Sequence, residues 1–238
     1  AKTGDRVVVS IFVNPMQFGE NEDLDQYPRT LEEDVGKLSR YNVDLVFAPM
    51  VSEIYPESVD NATTVEVPKL SGILEGECRP GFFKGVATVV NKLFNIVQPD
   101  VAIFGEKDFQ QLLVIKQMVS DLAMPVEIQS VATRREPDGL AMSSRNGYLN
   151  DEERVLATLI HACLEKLVEA VLAGENPAFA VGHASHELDE QGFLVDYVVV
   201  RRQHDLAVPE QDDRALIVLA AARLGSVRLI DNIPFTLS

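Results

Sequence analysis

Three short apolar runs, Arg6–Val13 (RVVVSIFV), Val43–Ala48 (VDLVFA) and Asp100–Phe104 (DVAIF), alternate with segments of helical length. The first is β-branched and apolar on both faces. A strand of that kind belongs inside a sheet covered by helices on either side, and such sheets are parallel. Thr30-Leu31-Glu32-Glu33 has capping-box spacing and predicts a helix running to about Arg40. Strand, helix and strand in that order need a crossover, so the flanking strands are expected to be parallel neighbours. After a polar, proline-containing stretch at 49–62, the pattern predicts a short strand near Thr63–Val67 and a helix over Phe83–Val97. The strand at Asp100–Phe104 is then followed by a helix over Asp108–Asp121 and a strand over Val126–Val131. This alternation is that of an α/β, doubly wound parallel sheet. Ligands in such sheets bind beyond the carboxyl ends of the strands, which singles out the loops Asn14–Gly19 and Gly105–Asp108.

From Arg134 the pattern changes. A loop rich in Arg, Glu, Pro, Asp and Gly leads to Met142-Ser143-Ser144-Arg145, and one long helix is expected from Asp151. Apolar pairs from Val155/Leu156 to Val171/Leu172 recur every four residues and predict one buried stripe containing Cys163. A helix over Pro177–Gln191 and strands at Leu194–Val200, Ala215–Ala222 and Val227–Asp231 complete a small α+β unit. The expected domains are therefore 1–133 and 134–238, joined without a flexible tether.

Charge narrows the function. Thirty-seven acidic residues oppose 21 Lys and Arg, for a net charge of −16 in 238 residues. Neither side of the 133/134 boundary is basic, so neither nucleic acid nor an anionic membrane is an expected partner. Two cysteines without Cys-x-x-Cys spacing, and no recognisable export signal, predict a cytoplasmic protein.

Few residues are placed for chemistry. Gly105-Glu106-Lys107-Asp108 lies at a strand-to-helix turn, where glycine admits a ligand, the first helical N–H groups favour an anion and Lys107 adds a cation. The same four residues could simply turn the chain and cap the helix through Asp108, and the pattern alone leaves both readings open. Met142–Arg145 could close over a triphosphate with its hydroxyls and guanidinium, or form an ordinary solvated turn. Asn14 and Gln17, beside Met16 and Phe18, are untitratable amides suited to orienting a hydroxylated or carboxylated substrate. His183 and His186 have the spacing of a helical metal pair but lack an evident third ligand. His161 and His204 read as structural or solvated, and the acidic run Glu20–Asp25 as a solvated loop.

The segments Ser10–Phe18 (SIFVNPMQF), Tyr27–Thr30 (YPRT), Gly105–Gln111 (GEKDFQQ), Asp138–Asn146 (DGLAMSSRN) and Leu229–Asn232 (LIDN) together resemble the pantoate–β-alanine ligase family, in order and spacing along essentially the whole chain. The resemblance implies a Rossmann-like nucleotidylyltransferase domain, a small C-terminal lid domain and a cytoplasmic homodimer. It implies an AMP-forming reaction in which pantoate and ATP give pantoyl adenylate and pyrophosphate, and β-alanine then gives pantothenate. Carried over motif by motif, Gln17 and Gln111 bind pantoate with Asn14 nearby. Gly105, Glu106, Lys107, Asp108, Met142, Ser143, Ser144 and Arg145 bind ATP. Lys107, Ser143, Ser144 and Arg145 are the catalytic group, and Asp34 is the candidate ligand for Mg²⁺. Members of the family carry a Gly-x-Leu-His-x-Gly-His segment ahead of the strand equivalent to Arg6–Val13. The present sequence starts after that point, which predicts a truncated chain. Two other readings compete: another nucleotidylyltransferase, and a dimeric nucleotide-binding remnant without catalysis.

Overall fold

A computed structural model of the chain describes residues 5–19 and 22–237. Its elements in chain order are β1 (Val8–Ser10), α1 (Leu31–Leu38), β2 (Leu45–Phe47), α2 (Val51–Ile54), α3 (Glu75–Cys78), α4 (Phe82–Val97), β3 (Val101–Gly105), α5 (Phe109–Asp121) and β4 (Glu127–Val131). These are followed by α6 (Asp151–Leu156), α7 (Leu159–Leu172), α8 (Pro177–Glu190), β5 (Leu194–Arg202), β6 (Ala215–Leu224) and β7 (Val227–Thr236). Compactness groups the chain into two units, one holding residues up to Glu66 with Arg79–Gln98, the other Val67–Cys78 with Pro99 onward. The boundary read at 133/134 instead marks where the parallel strands end and the antiparallel ones begin.

In the first unit β1 and β2 pair in parallel, with Val8 opposite Leu45 and Ser10 opposite Phe47, as a strand–helix–strand crossover requires. The helix between them forms, but the capping box at Thr30 does not. The Thr30 hydroxyl donates to Asp34 Oδ2 at 3.2 Å, and Glu33 pairs with Lys37 at 2.8 Å. Contacts one turn further along the exposed helix have drawn both capping side chains away from the backbone donors. The strand expected near Thr63–Val67 does not form either. The Val65 N–H donates to the buried hydroxyl of Thr88 on α4 at 2.9 Å, so a side chain takes the bond a neighbouring strand would have made. Within α4, Phe83, Val86, Ala87, Val90 and Phe94 are buried.

In the second unit β3 and β4 pair in parallel from Val101/Glu127 to Gly105/Val131, connected by α5. The four parallel strands thus hydrogen-bond as two pairs, one in each unit. β5, β6 and β7 form an antiparallel sheet with β6 in the centre. Strand periodicity sends Leu216, Val218, Ala220 and Ala222 to the face packed against α7 and α8, in a cluster with Ile160, Leu164, Leu167 and Leu188. Ile217 and Leu219 go to the other face, in a cluster with Leu74 and Leu206 on which Leu70, Ile73, Phe109 and Leu113 pack. Covered on both faces, β6 reads as an unbroken apolar run.

The single long helix expected from Asp151 is two. Asn150 and Glu153 form a capping box that opens α6. The Thr158 hydroxyl then donates to the Val155 carbonyl at 2.8 Å, a back-bond of the kind that bends helices, and α7 starts afresh at Leu159. The buried face runs from Ala157 through Ile160 and Cys163, whereas Val155 is 71% exposed. Burial pushes the Cys163 thiol up to about 11. No helix among the described residues is long and apolar enough to cross a membrane.

Truncating Leu164, fully buried in the α7–β6 cluster, to alanine is expected to cost about 2–5 kcal/mol of stability. Val155→Ala, in the same sequence stripe but outside the core, should change stability by less than about 0.5 kcal/mol. Urea titration of the two variants checks the contrast.

Candidate active site

At the carboxyl end of β3 the chain makes a 3-10 turn over Glu106–Asp108 and enters α5. Asp108 forms no side-chain cap there, so the purely structural reading of this residue loses its bond. Instead the turn is held from β7. Asn232 Nδ2 donates to the carbonyl oxygens of Glu106 and Lys107 at 3.0 and 2.9 Å. Lys107 and Ser143 line one small cleft of about 10 Å³ with Asn146, beside apolar Leu140, Ala141 and Ile160 and the 228–230 segment of β7. Among the described residues the Lys107 ammonium makes no ion pair.

Residues 134–142 form a small hairpin. Met142 N–H donates to Arg134 O at 2.9 Å, Glu136 N–H donates to Leu140 O at 2.8 Å, and Arg135 pairs antiparallel with Ala141. Its base is fixed by a two-pronged ion pair, with Arg135 Nη1 and Nη2 on Asp231 Oδ2 and Oδ1 at 2.7 and 2.9 Å. Arg135 Nη1 also donates to the carbonyl of Gly139 at 3.1 Å. Gly139 has φ +92°, and a Cβ there would lie 3.0 Å from His161 Cδ2, so both backbone shape and space demand glycine. His161 Nδ1 lies 3.3 Å from Asp231 Oδ2. Burial pulls the Asp231 pKa upward, but His161, Arg135 and the Asn232 N–H outweigh it and hold the carboxyl below its ordinary value. Beyond the hairpin, Ser143 Oγ accepts from Arg145 N–H at 3.2 Å and opens the 3-10 turn Ser144–Tyr148, while Met142 is exposed.

In the first unit, Asn14 and Gln17 flank the turn Pro15–Gln17. Asn14 is 2% exposed and its amide is committed. Oδ1 accepts from the Tyr55 hydroxyl at 2.8 Å, and Nδ2 donates to the Gly85 carbonyl at 3.0 Å and to Gln17 Oε1 at 3.3 Å. The geometry makes Asn14 the anchor behind Gln17, which is itself partly exposed. A Cβ on Gly85 would lie 2.6 Å from the Met16 carbonyl oxygen, so glycine lets α4 approach this turn. Burial pushes the Tyr55 phenol up to about 12. Arg79 donates to both carboxylate oxygens of Glu22, at 2.7 and 2.5 Å, so part of the acidic run is bound rather than solvated. Glu20, its first residue, lies outside the described residues.

The adjacent glutamines on α5 divide their roles. Gln110 is buried, donating to Leu70 O and Ile73 O and accepting from Glu75 N–H, whereas Gln111 is partly exposed. Asp34 lies on α1 in the first unit with the Thr30 hydroxyl as its partner. His183 and His186 are exposed and face Glu175 and Glu190 rather than one another. Among the described residues no three His, Cys, Asp or Glu side chains are grouped to hold a metal ion. Sequence reasoning missed Arg135, Gly85 and Tyr55 altogether and quoted Asp231 and Asn232 only as part of a motif. Their work is done across long chain separations, for which the adjacent residues carry no sign.

A parallel strand pair ending in a Gly-x-Lys-Asp turn, beside a hairpin that leads into Ser143 and is fastened to an antiparallel sheet, defines an α/β fold of nucleotidylyltransferase type. The family described as pantoate-beta-alanine ligase matches residues 1–234. A pantothenate synthetase of Shewanella loihica is 54% identical over 234 residues, spanning 98% of this chain and 83% of that protein. One of Methylococcus capsulatus is 56% identical over 233 residues, spanning 98% and 82%. A pantothenate synthetase structure from Thermus thermophilus superposes with a TM-score of 0.91 at 45% identity, covering 96% of this chain and 83% of that one. A pantoate-beta-alanine ligase from Francisella tularensis, solved with beta-gamma ATP and beta-alanine, gives 0.80 at 33% identity over 96% and 79%. The chain belongs to the pantoate-beta-alanine ligase family.

Two outcomes follow from the buried contacts. Gly85→Ala should destabilise the protein by about 1–3 kcal/mol, read from its unfolding midpoint, because the new methyl meets backbone that cannot swing aside. Asp231 has a lowered folded pKa, so its ionised form adds stability above the unfolded carboxylate value of about 4, and that stability is lost as the pH falls through the folded pKa. The stability gap between the wild type and Asp231→Asn should therefore be full at pH 7 and shrink steadily below about pH 4. Urea titrations across that range measure it.

Proposed function

We propose that the protein catalyses the ATP-dependent condensation of pantoate with β-alanine. The observation that carries this reading is that Lys107 and Ser143 line one small cleft at the carboxyl end of β3, in a chain of this family. In the first step a pantoate carboxylate oxygen bonds to the α-phosphorus of ATP. The bond from that phosphorus to the bridging oxygen breaks, and its electron pair leaves with pyrophosphate. In the second step the free amine of β-alanine attacks the acyl carbon, the bond from that carbon to the oxygen bridging it to phosphorus breaks, and AMP departs with that bridging oxygen. The nitrogen then gives its extra proton to water.

Neither step needs a nucleophilic side chain, only orientation and positive charge where negative charge gathers. Lys107 and Arg145 supply the charge, and Ser143 and Ser144 donate to phosphate oxygens. Gly105, Glu106, Asp108 and Met142 shape the nucleotide site. Gln17 and Gln111 orient pantoate, and Asn14 acts by holding Gln17. Asp34 offers the hard oxygen donor that Mg²⁺ prefers, and one protein carboxylate suffices for an ion carried on substrate phosphates and water. When bound, Mg²⁺ would offset charge on the departing phosphates. The two free cysteines accord with a cytoplasmic enzyme, and the family resemblance with a homodimer.

Pantoate-dependent exchange of labelled pyrophosphate into ATP, with β-alanine omitted, tests the adenylate. Its absence overturns the ligase reading, and exchange driven by a different acceptor would favour another nucleotidylyltransferase. Lys107→Ala should lower the exchange kcat by about 10²–10³-fold with a much smaller change in pantoate KM. Gln17→Ala should act chiefly on that KM, raising it about tenfold, and steady-state kinetics of the two variants separate the roles.

A further inference from the structure

Asn232 is 4% exposed, and its backbone is fixed opposite Leu219 in the β6–β7 ladder. Its side-chain amide donates both hydrogens outward, to the carbonyls of Glu106 and Lys107. Its own N–H donates to Asp231 Oδ1 at 2.7 Å, and the same carboxylate receives the Arg135 fork that secures the 134–142 hairpin. Two consecutive residues of one strand therefore hold both the turn that carries Lys107 and the hairpin that leads to Ser143.

A lysine ammonium sits on a flexible four-carbon stem, so a fold controls its position through the backbone from which the stem departs. Gripping two successive carbonyls settles the orientation of both peptide planes around Lys107. Nothing comparable is available from Asp108, which forms no cap. We propose that Asn232 is a positioning residue for adenylation, setting the departure point of the Lys107 side chain through these two carbonyl bonds while touching no substrate itself. This inference rests on the reading of Lys107 as the cation that stabilises the leaving pyrophosphate.

The test is a double-mutant cycle on pantoate-dependent pyrophosphate exchange, with wild type, Asn232→Ala, Lys107→Ala and the double variant. Asn232→Ala should lower kcat about 10- to 100-fold with pantoate KM within about twofold, since displacing a catalytic group by roughly 1 Å has effects of that size. In the Lys107→Ala background the same change should alter kcat by less than about twofold, because the group it positions is already gone. Should Asn232→Ala fail to fold, Asn232→Asp, which keeps the size and removes both donors, takes its place in the cycle. A large loss from Lys107→Ala combined with an equal, multiplying loss from Asn232→Ala in both backgrounds overturns the positioning role alone. Lys107→Ala without effect overturns the underlying reading of Lys107 and the positioning role with it.

Discussion

From Leu216 to Ala222 strand β6 is buried on both faces, and much of the second unit is arranged to keep it so. Its even-numbered side chains need the cover of α7 and α8, while Ile217 and Leu219 need a second layer, supplied by Leu74 and Leu206 with Leu70, Ile73, Phe109 and Leu113 packed against them. Burying each large aliphatic side chain is worth about 1.5–3 kcal/mol, against a net of about 1 kcal/mol for an ordinary hydrogen bond. Apolar cover therefore decides which segments belong together, and polar contacts adjust positions within that frame. Because the second layer includes the start of α5, the turn just before α5 falls within reach of β7.

One polar cluster inside this unit is closely paired. Glu75 takes both terminal nitrogens of Arg228 at 2.7 Å and the Tyr197 hydroxyl at 2.8 Å, while Arg228 Nε reaches Asp196 at 2.6 Å. A bulge in β5 leaves Asp196 as the unpaired residue between Val195 and Tyr197. Burial, with the Glu75 carboxylate beside it, raises the Tyr197 phenol well above its usual range. Such clusters contribute little net stability relative to an apolar core, yet losing one partner strands a buried charge, at a cost of about 3–5 kcal/mol.

Much of this was legible from residue order because it depends on neighbours in the chain. Short β-branched runs found the parallel strands, although none of their residues is buried as that pattern predicts, and periodicity found α4, α5, α8 and the three C-terminal strands, since two or four residues' spacing is enough to show a buried face. It failed where a distant side chain intervened. Thr88 claims the backbone of Val65, and Thr158 breaks a helix whose apolar stripe continues across the break. The division at 133/134 followed a real change of strand pattern, but the packing of Leu70–Leu74 under β6 has no local trace. At the candidate site, the family motifs pointed to Lys107, Ser143 and Gln17. They singled out Gln111, the partly exposed member of the 110–111 pair, but did not show that Asn14 has its amide already committed.

The bonds from Asn232 reach only main-chain oxygens of the Glu106–Lys107 turn. Every amino acid supplies the same oxygen, so this grip does not depend on which side chains the turn displays. Shape and reactivity at that point are thus separately heritable. The turn can exchange its cation for another group and keep its course, and a lineage could retune what the cleft does without first having to rebuild the scaffold that presents it.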